Sequence, residues 1–148
     1  PATVWMAAAA ALEVAPGAAP APGCPYLLDI TVALPAPRPI TAFIKPLLDG
    51  LISAFHAHDG SRLPDVLPRL ATTTGLAPAE ALRLLTPARP PRGTRALLWP
   101  RGEGVQWNPA DDDCVGCRIT STVGSTTHLR ATLSIATPTA GAPGGSGV

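Results

Sequence analysis

Aromatic side chains are scarce, at 4% of a 148-residue chain, so any core must be aliphatic and alanine-rich, which a hydrophobic fraction of 46% permits. Lysine is nearly absent: Lys45 stands alone beside ten arginines. Neither sign of charge dominates, and the formal net charge is +1. That balance excludes polyanion binding by bulk charge, so any nucleic-acid contact must come from a local patch. Long apolar runs are missing too. The early stretch 4–14 is interrupted by Glu13 and falls short of the roughly 20 residues that cross a bilayer. No Lys or Arg precedes Arg38, so the charged start of a signal peptide is also lacking. Cys24, Cys114 and Cys117 make an odd count without a disulfide framework, which fits a reducing, cytoplasmic setting. The opening on Pro1 rather than Met is the expectation for a processed or truncated chain.

The length suits one domain. Residues 3–14 read as a short helix because alanine has the best helical propensity. The Pro/Gly/Ala segment 16–25 cannot continue it. Residues 26–34 alternate, with Leu28, Ile30, Val32 and Leu34 on one face, and prolines 35, 37 and 39 stop this strand. Residues 41–56 form the best helix. Phe43, Ile44, Leu47, Leu48, Leu51, Ile52 and Phe55 recur at helical spacing, and Pro46 falls where its missing N–H costs least. Segments 63–71 and 78–85 read as short helices, 87–95 as a Pro/Arg loop and 97–99 as a short strand. Residues 114–122 and 128–136 alternate and pair as a C-terminal hairpin. The expected fold is α+β (α/β in the broad sense): a small mixed sheet, one long amphipathic helix and that hairpin, in a single domain over 1–136. The Gly/Pro/Ser tail 137–148 reads as disordered.

Three adjacent carboxylates, Asp111, Asp112 and Asp113, repel one another. On a turn leading into a strand they are candidate ligands for Mg²⁺ or Mn²⁺, which prefer oxygen donors. The alternative is an Asp-rich turn whose side chains cap their own backbone and face water. Arg89, Arg92, Arg95 and Arg101 are candidate contacts to a nucleic-acid backbone, or a solvated loop. His56, His58 and Asp59 end the long helix, where histidines commonly serve the last carbonyls. Cys114 and Cys117 form a lone C-x-x-C. A structural zinc site takes four ligands, and in a regular strand positions three apart face opposite ways. Half-buried cysteines are the expectation.

The run Lys45-Pro46-Leu47-Leu48-Asp49-Gly50-Leu51 and the later turn 107–115, Trp-Asn-Pro-Ala-Asp-Asp-Asp-Cys-Val, resemble the RusA-like Holliday-junction resolvases. There a strand ends in D-x-D-N-x-x-K, the helix continues, and a second acidic turn precedes a strand. The resemblance covers residues 25–136, with 59–103 as a helical and loop insertion. It implies a Mg²⁺-dependent endonuclease acting as a homodimer on branched or duplex DNA. Lys45 and Asp112 would be catalytic, and Asp111, Asp112 and Asp113 would hold the metal. In such chemistry the ion activates water and stabilises charge on the phosphate. Counting back from Lys45, the first acidic pair falls on Pro39 and Thr41 and the Asn on Ala42. Either the implied enzyme is catalytically impaired or a different carboxylate, such as Asp49 one turn beyond Lys45, substitutes. The alternatives are an inactive DNA-binding relative and a structural or assembly protein without enzymatic activity.

Overall fold

The computed structural model describes residues 1–18, 21–109 and 111–136. The expected tail 137–148 lies outside them. The architecture is α+β, as the alternation and helical spacing predict. Its spine is β1 (Tyr26–Leu34), whose inward row Tyr26, Leu28, Ile30 and Val32 is at most 4% exposed. Two strands flank it, β6 (Cys114–Val123) running parallel and β7 (His128–Ile135) antiparallel.

The C-terminal hairpin expected from the alternation does not form, because β1 lies between the two strands in the order β6-β1-β7. The reason is burial. The inward row of β1, aliphatic apart from Tyr26, gains most from a neighbour on each side. β6 and β7 carry many Thr, Ser and Arg residues and tolerate the edges. Residues 124–127 bridge the end of β1, and the Gly124 N–H donates to the Leu34 carbonyl at 2.9 Å. The chain's tight hairpin is instead β4 (Leu98–Arg101) with β5 (Gly104–Trp107), turned by Gly102 at a φ of +52°.

The long helix is α2 (Ile44–Ala54), preceded by a 3₁₀ turn over Ile40–Ala42. Its N-cap is Phe43 without a side-chain cap, so the start rests on packing. Pro46 lies in the first turn, where no intrahelical partner for an N–H is lost. Leu47, Leu51, Ile52 and Phe55 lie on the inward row of β1. Burying each such side chain stabilises by roughly 1.5–3 kcal/mol.

Residues 59–103 do more than decorate this layer. The helices α3 (Leu63–Thr74) and α4 (Pro78–Leu85) form a second core with α1 (Ala2–Ala11) and the β4–β5 hairpin. Its centre is Trp5, Val66, Leu70, Leu85, Leu97 and Leu98, all fully buried, and the Trp5 ring lies 5.4 Å from that of Trp107. Two short strands escape periodicity because they span two residues each: β2 (Ala57–His58) pairs in parallel with β3 (Thr94–Arg95). That pair ties the Pro/Arg loop to the end of α2.

The two cores share α1, which crosses α2 at Gly50. A β-carbon there would lie 2.7 Å from both the Pro1 carbonyl and Val4 Cβ, and 2.9 Å from the Trp5 nitrogen. Three contacts with another helix cannot all relax by one rotamer change. Gly50→Ala is expected to lower stability by about 1–3 kcal/mol despite its better helical propensity. Urea denaturation checks this, and a variant as stable as the wild type would refute the close crossing.

Candidate functional site

The acidic turn sits at the start of β6, beside the start of β1 because the two strands run parallel. The Tyr26 N–H donates to the Asp113 carbonyl and the Cys114 N–H to the Asp111 carbonyl, each at 2.9 Å. The loop preceding β3 reaches this corner from α2: the Arg92 N–H donates to the Phe55 carbonyl at 3.0 Å and the Ala57 N–H to the Gly93 carbonyl at 2.9 Å.

Arg92 therefore enters the structure instead of leaving it. Its side chain is 1% exposed, and Nη2 donates to Asp113 Oδ2 at 2.8 Å and to the Cys24 carbonyl at 2.6 Å. Nη1 donates to the Ala21 carbonyl, and the guanidinium stacks 4.7 Å over the Tyr26 ring. Arg92 is thus not a surface contact for DNA, and Asp113 faces an arginine fork. The planar guanidinium supplies several donors at fixed angles, as this meeting of two carbonyls and a carboxylate requires.

The other predicted residues divide. Arg95 approaches Asp112 at 3.9 Å, but Asp112 is 75% exposed, so this contact contributes little. Asp111 is exposed, as are Arg89 in the loop and Arg101 at the end of β4. Arginine thus relieves the mutual repulsion of the three carboxylates, and two of them remain open to solvent. The signal for this pairing was the opposite charge of the neighbouring loop, but its spacing alone did not say which arginine turns inward.

Lys45 is elsewhere. The helix α2 runs back along β1, which puts Phe55 and His56 at the acidic corner and Lys45 at the far end of the sheet. β1 alone separates these ends by roughly 26 Å. Lys45 Nζ instead pairs with Asp49 Oδ2 one turn on, at 3.0 Å. Within one chain, then, the two segments that carry the resemblance do not converge. Among the described residues, no group of three or more His, Cys, Asp or Glu side chains is placed to hold a metal ion.

The histidines are buried at the acidic corner. His56 Nδ1–H donates to the Ile52 carbonyl at 3.0 Å, serving the helix end as expected, and His58 Nδ1 accepts the Gly60 N–H at 3.0 Å. Burial pulls both imidazoles below their ordinary value of 6.5. For His56, Arg95 and Arg92 add to burial, against the Ile52 carbonyl and Asp113; for His58, Asp59 opposes burial. Burial also raises the Tyr26 hydroxyl. Asp59 is lowered by its hydrogen bonds from Ser61.

The cysteines overturn the alternation argument. β6 bulges opposite the Tyr26–Leu27 step, so Tyr26 pairs with Cys114, Leu27 with Gly116 and Leu28 with Cys117. The extra residue, Val115, returns Cys117 to the face that carries Cys114. Comparison with protein-family models, curated proteins and solved structures yields no match.

Two outcomes follow from this corner. Arg92→Ala leaves Asp113 and two carbonyls without their donor and is expected to cost about 2–4 kcal/mol. Arg89→Ala and Arg101→Ala should each stay within about 0.5 kcal/mol. Chemical denaturation of the three variants checks the contrast, and equal losses would refute it. Because the folded chain keeps both imidazoles neutral, it binds fewer protons than the unfolded chain as the pH falls through 6.5. Stability is full above that value and drains below it. The urea midpoint should fall between about pH 7.5 and about pH 5.5, and less steeply in His58→Asn.

Proposed function

We propose that this chain is a DNA-binding relative of the branched-DNA nucleases that has lost metal-dependent cleavage and works as a homodimer in a reducing cytoplasm. The observation that carries this reading is the outer face of the three-stranded sheet. Beyond a first row of Leu27, Gly116 and Ser134, its rows are Asp29, Arg118 and Thr132, then Thr31, Thr120 and Arg130, then Ala33, Thr122 and His128. Arginines among threonines are side chains that hold phosphate oxygens. The lone carboxylate, Asp29, lies 4.0 Å from Arg118, whose side chain is 81% exposed. Arg118 and Arg130 supply the basic side chains of this face, whereas Arg92 is buried.

The loss of chemistry is supported by Pro39, Thr41 and Ala42 at the first acidic motif and by the tie between Arg92 and Asp113. Mg²⁺ or Mn²⁺ would rest weakly on Asp111 and Asp112, the carboxylates that Arg92 leaves open. The dimer reading is supported by β6, a ten-residue edge with Arg118 as its one charged residue. Charges normally guard such edges against pairing. Antiparallel pairing of two β6 strands would carry each acidic turn toward the sheet end that holds the partner's Lys45. The three free thiols support the reducing compartment, and no helix among the described residues is long and apolar enough to cross a membrane.

Fluorescence anisotropy with a labelled four-way junction and a matched duplex tests this. Binding should weaken steeply with salt, and Arg118→Glu with Arg130→Glu should weaken it about tenfold or more and flatten the salt slope by about 2. Unchanged affinity in that double variant would remove the reading. Mg²⁺-dependent cleavage by the wild type would restore an active nuclease in its place. A monomer in sedimentation at tens of micromolar would remove the dimer.

A further inference from the structure

We propose that Cys114 and Cys117 form a two-coordinate site for a soft monovalent d¹⁰ ion, copper(I). The bulge at Val115 is what makes the pair. It sets the two cysteines opposite Tyr26 and Leu28, which share the inward face of β1, with only Leu27 between them. In register terms the cysteines are two strand positions apart, roughly 6.6 Å along the strand. That spacing does not suit a disulfide, whose β-carbons must come to about 3.8 Å. It does suit a bridging ion: two thiolate–metal bonds of about 2.3 Å set the sulfurs roughly 4.6 Å apart. Each side chain then leans inward by about 1 Å, within rotamer freedom.

The donor set selects the metal. Two thiolates are soft ligands that favour copper(I). Zinc takes four ligands, and no third or fourth His, Cys, Asp or Glu gathers here among the described residues. The site is accessible, because Cys117 is exposed and Val115 is 59% exposed, while Cys114 is half-buried against the Tyr26 core. Cys114 Sγ–H donates to the Gly116 carbonyl at 3.6 Å, a bond released on loading, while hydrogen-bond contact with the Tyr26 side chain holds this arm of the pair in place. Loading replaces two S–H bonds by two S–Cu bonds, releases two protons to solvent and leaves copper in its monovalent state. A charge of −1 then remains on the bis-thiolate, near the Arg92 guanidinium that covers Tyr26.

The test titrates reduced, full-length protein anaerobically with copper(I) against a chromophoric copper(I) chelator. Thiolate-to-copper absorption in the near ultraviolet is followed beside it. Wild type and Cys24→Ser are expected to take one copper per chain, and Cys114→Ser and Cys117→Ser to take none. Because Cys117 is exposed, its serine variant keeps the fold, which circular dichroism verifies. Deletion of Val115 adds a register test: it returns Cys117 to the opposite face and should abolish uptake in a folded chain. Copper retained by folded Cys117→Ser, loss of copper in Cys24→Ser, or one copper per two chains would each overturn the site.

Discussion

The Arg92 guanidinium is the contact on which the acidic corner depends. It joins the segment before β1, the ring that opens β1 and the carboxylate that opens β6. None of these groups could be enclosed alone. Two carbonyls and a carboxylate need donors, and a buried cation needs acceptors; the two terminal nitrogens of Arg92 meet that need, while its Nε is left buried without a partner. The short β2–β3 pairing delivers Arg92 to that point, and the parallel register of β1 and β6 delivers Asp113. What looks in the chain like a basic loop and an acidic turn, two surface features of opposite sign, becomes one internal joint.

That joint changes what the surface offers. With Asp113 tied to Arg92 and Lys45 paired to Asp49 at the far end of the sheet, the acidic turn and Lys45 stay apart within one chain. The chemistry that remains is distributed: arginines and threonines across the outer sheet face, a long unguarded edge on β6, and two thiols beside the bulge. The outer face draws on all three strands, the central β1 included through Asp29 and Thr31, whereas the open edge and the bulge belong to β6, which has a neighbour on one side only.

Much of the fold was legible in the sequence because its signals are periodic. The alternation over Tyr26–Leu34 and the helical stripe of α2 each name the face that β1 and α2 bury against one another. Pro78 marks the first turn of α4, and Pro35, Pro37 and Pro39 mark the end of β1. The candidate site was less legible. The alternation in β6 and β7 is a property of each strand and says nothing about what lies between them, so a hairpin and a split pair read alike. The cysteine spacing likewise presumes regular geometry, which one extra residue reverses.

The sequence by itself determined the types of the longer elements and the apolar rows that they bury. These are local properties, readable from side-chain chemistry at fixed spacing. The tertiary structure decided which arginine of four turns inward, which strand separates β6 from β7, and which face receives Cys117. Each of those choices is settled by partners far along the chain: Arg92 by carbonyls 68 and 71 residues away, β1 by the burial that two neighbours provide, and Cys117 by a bulge against β1. Long-range burial and hydrogen-bond satisfaction are properties of the assembled molecule, and no window of sequence contains them.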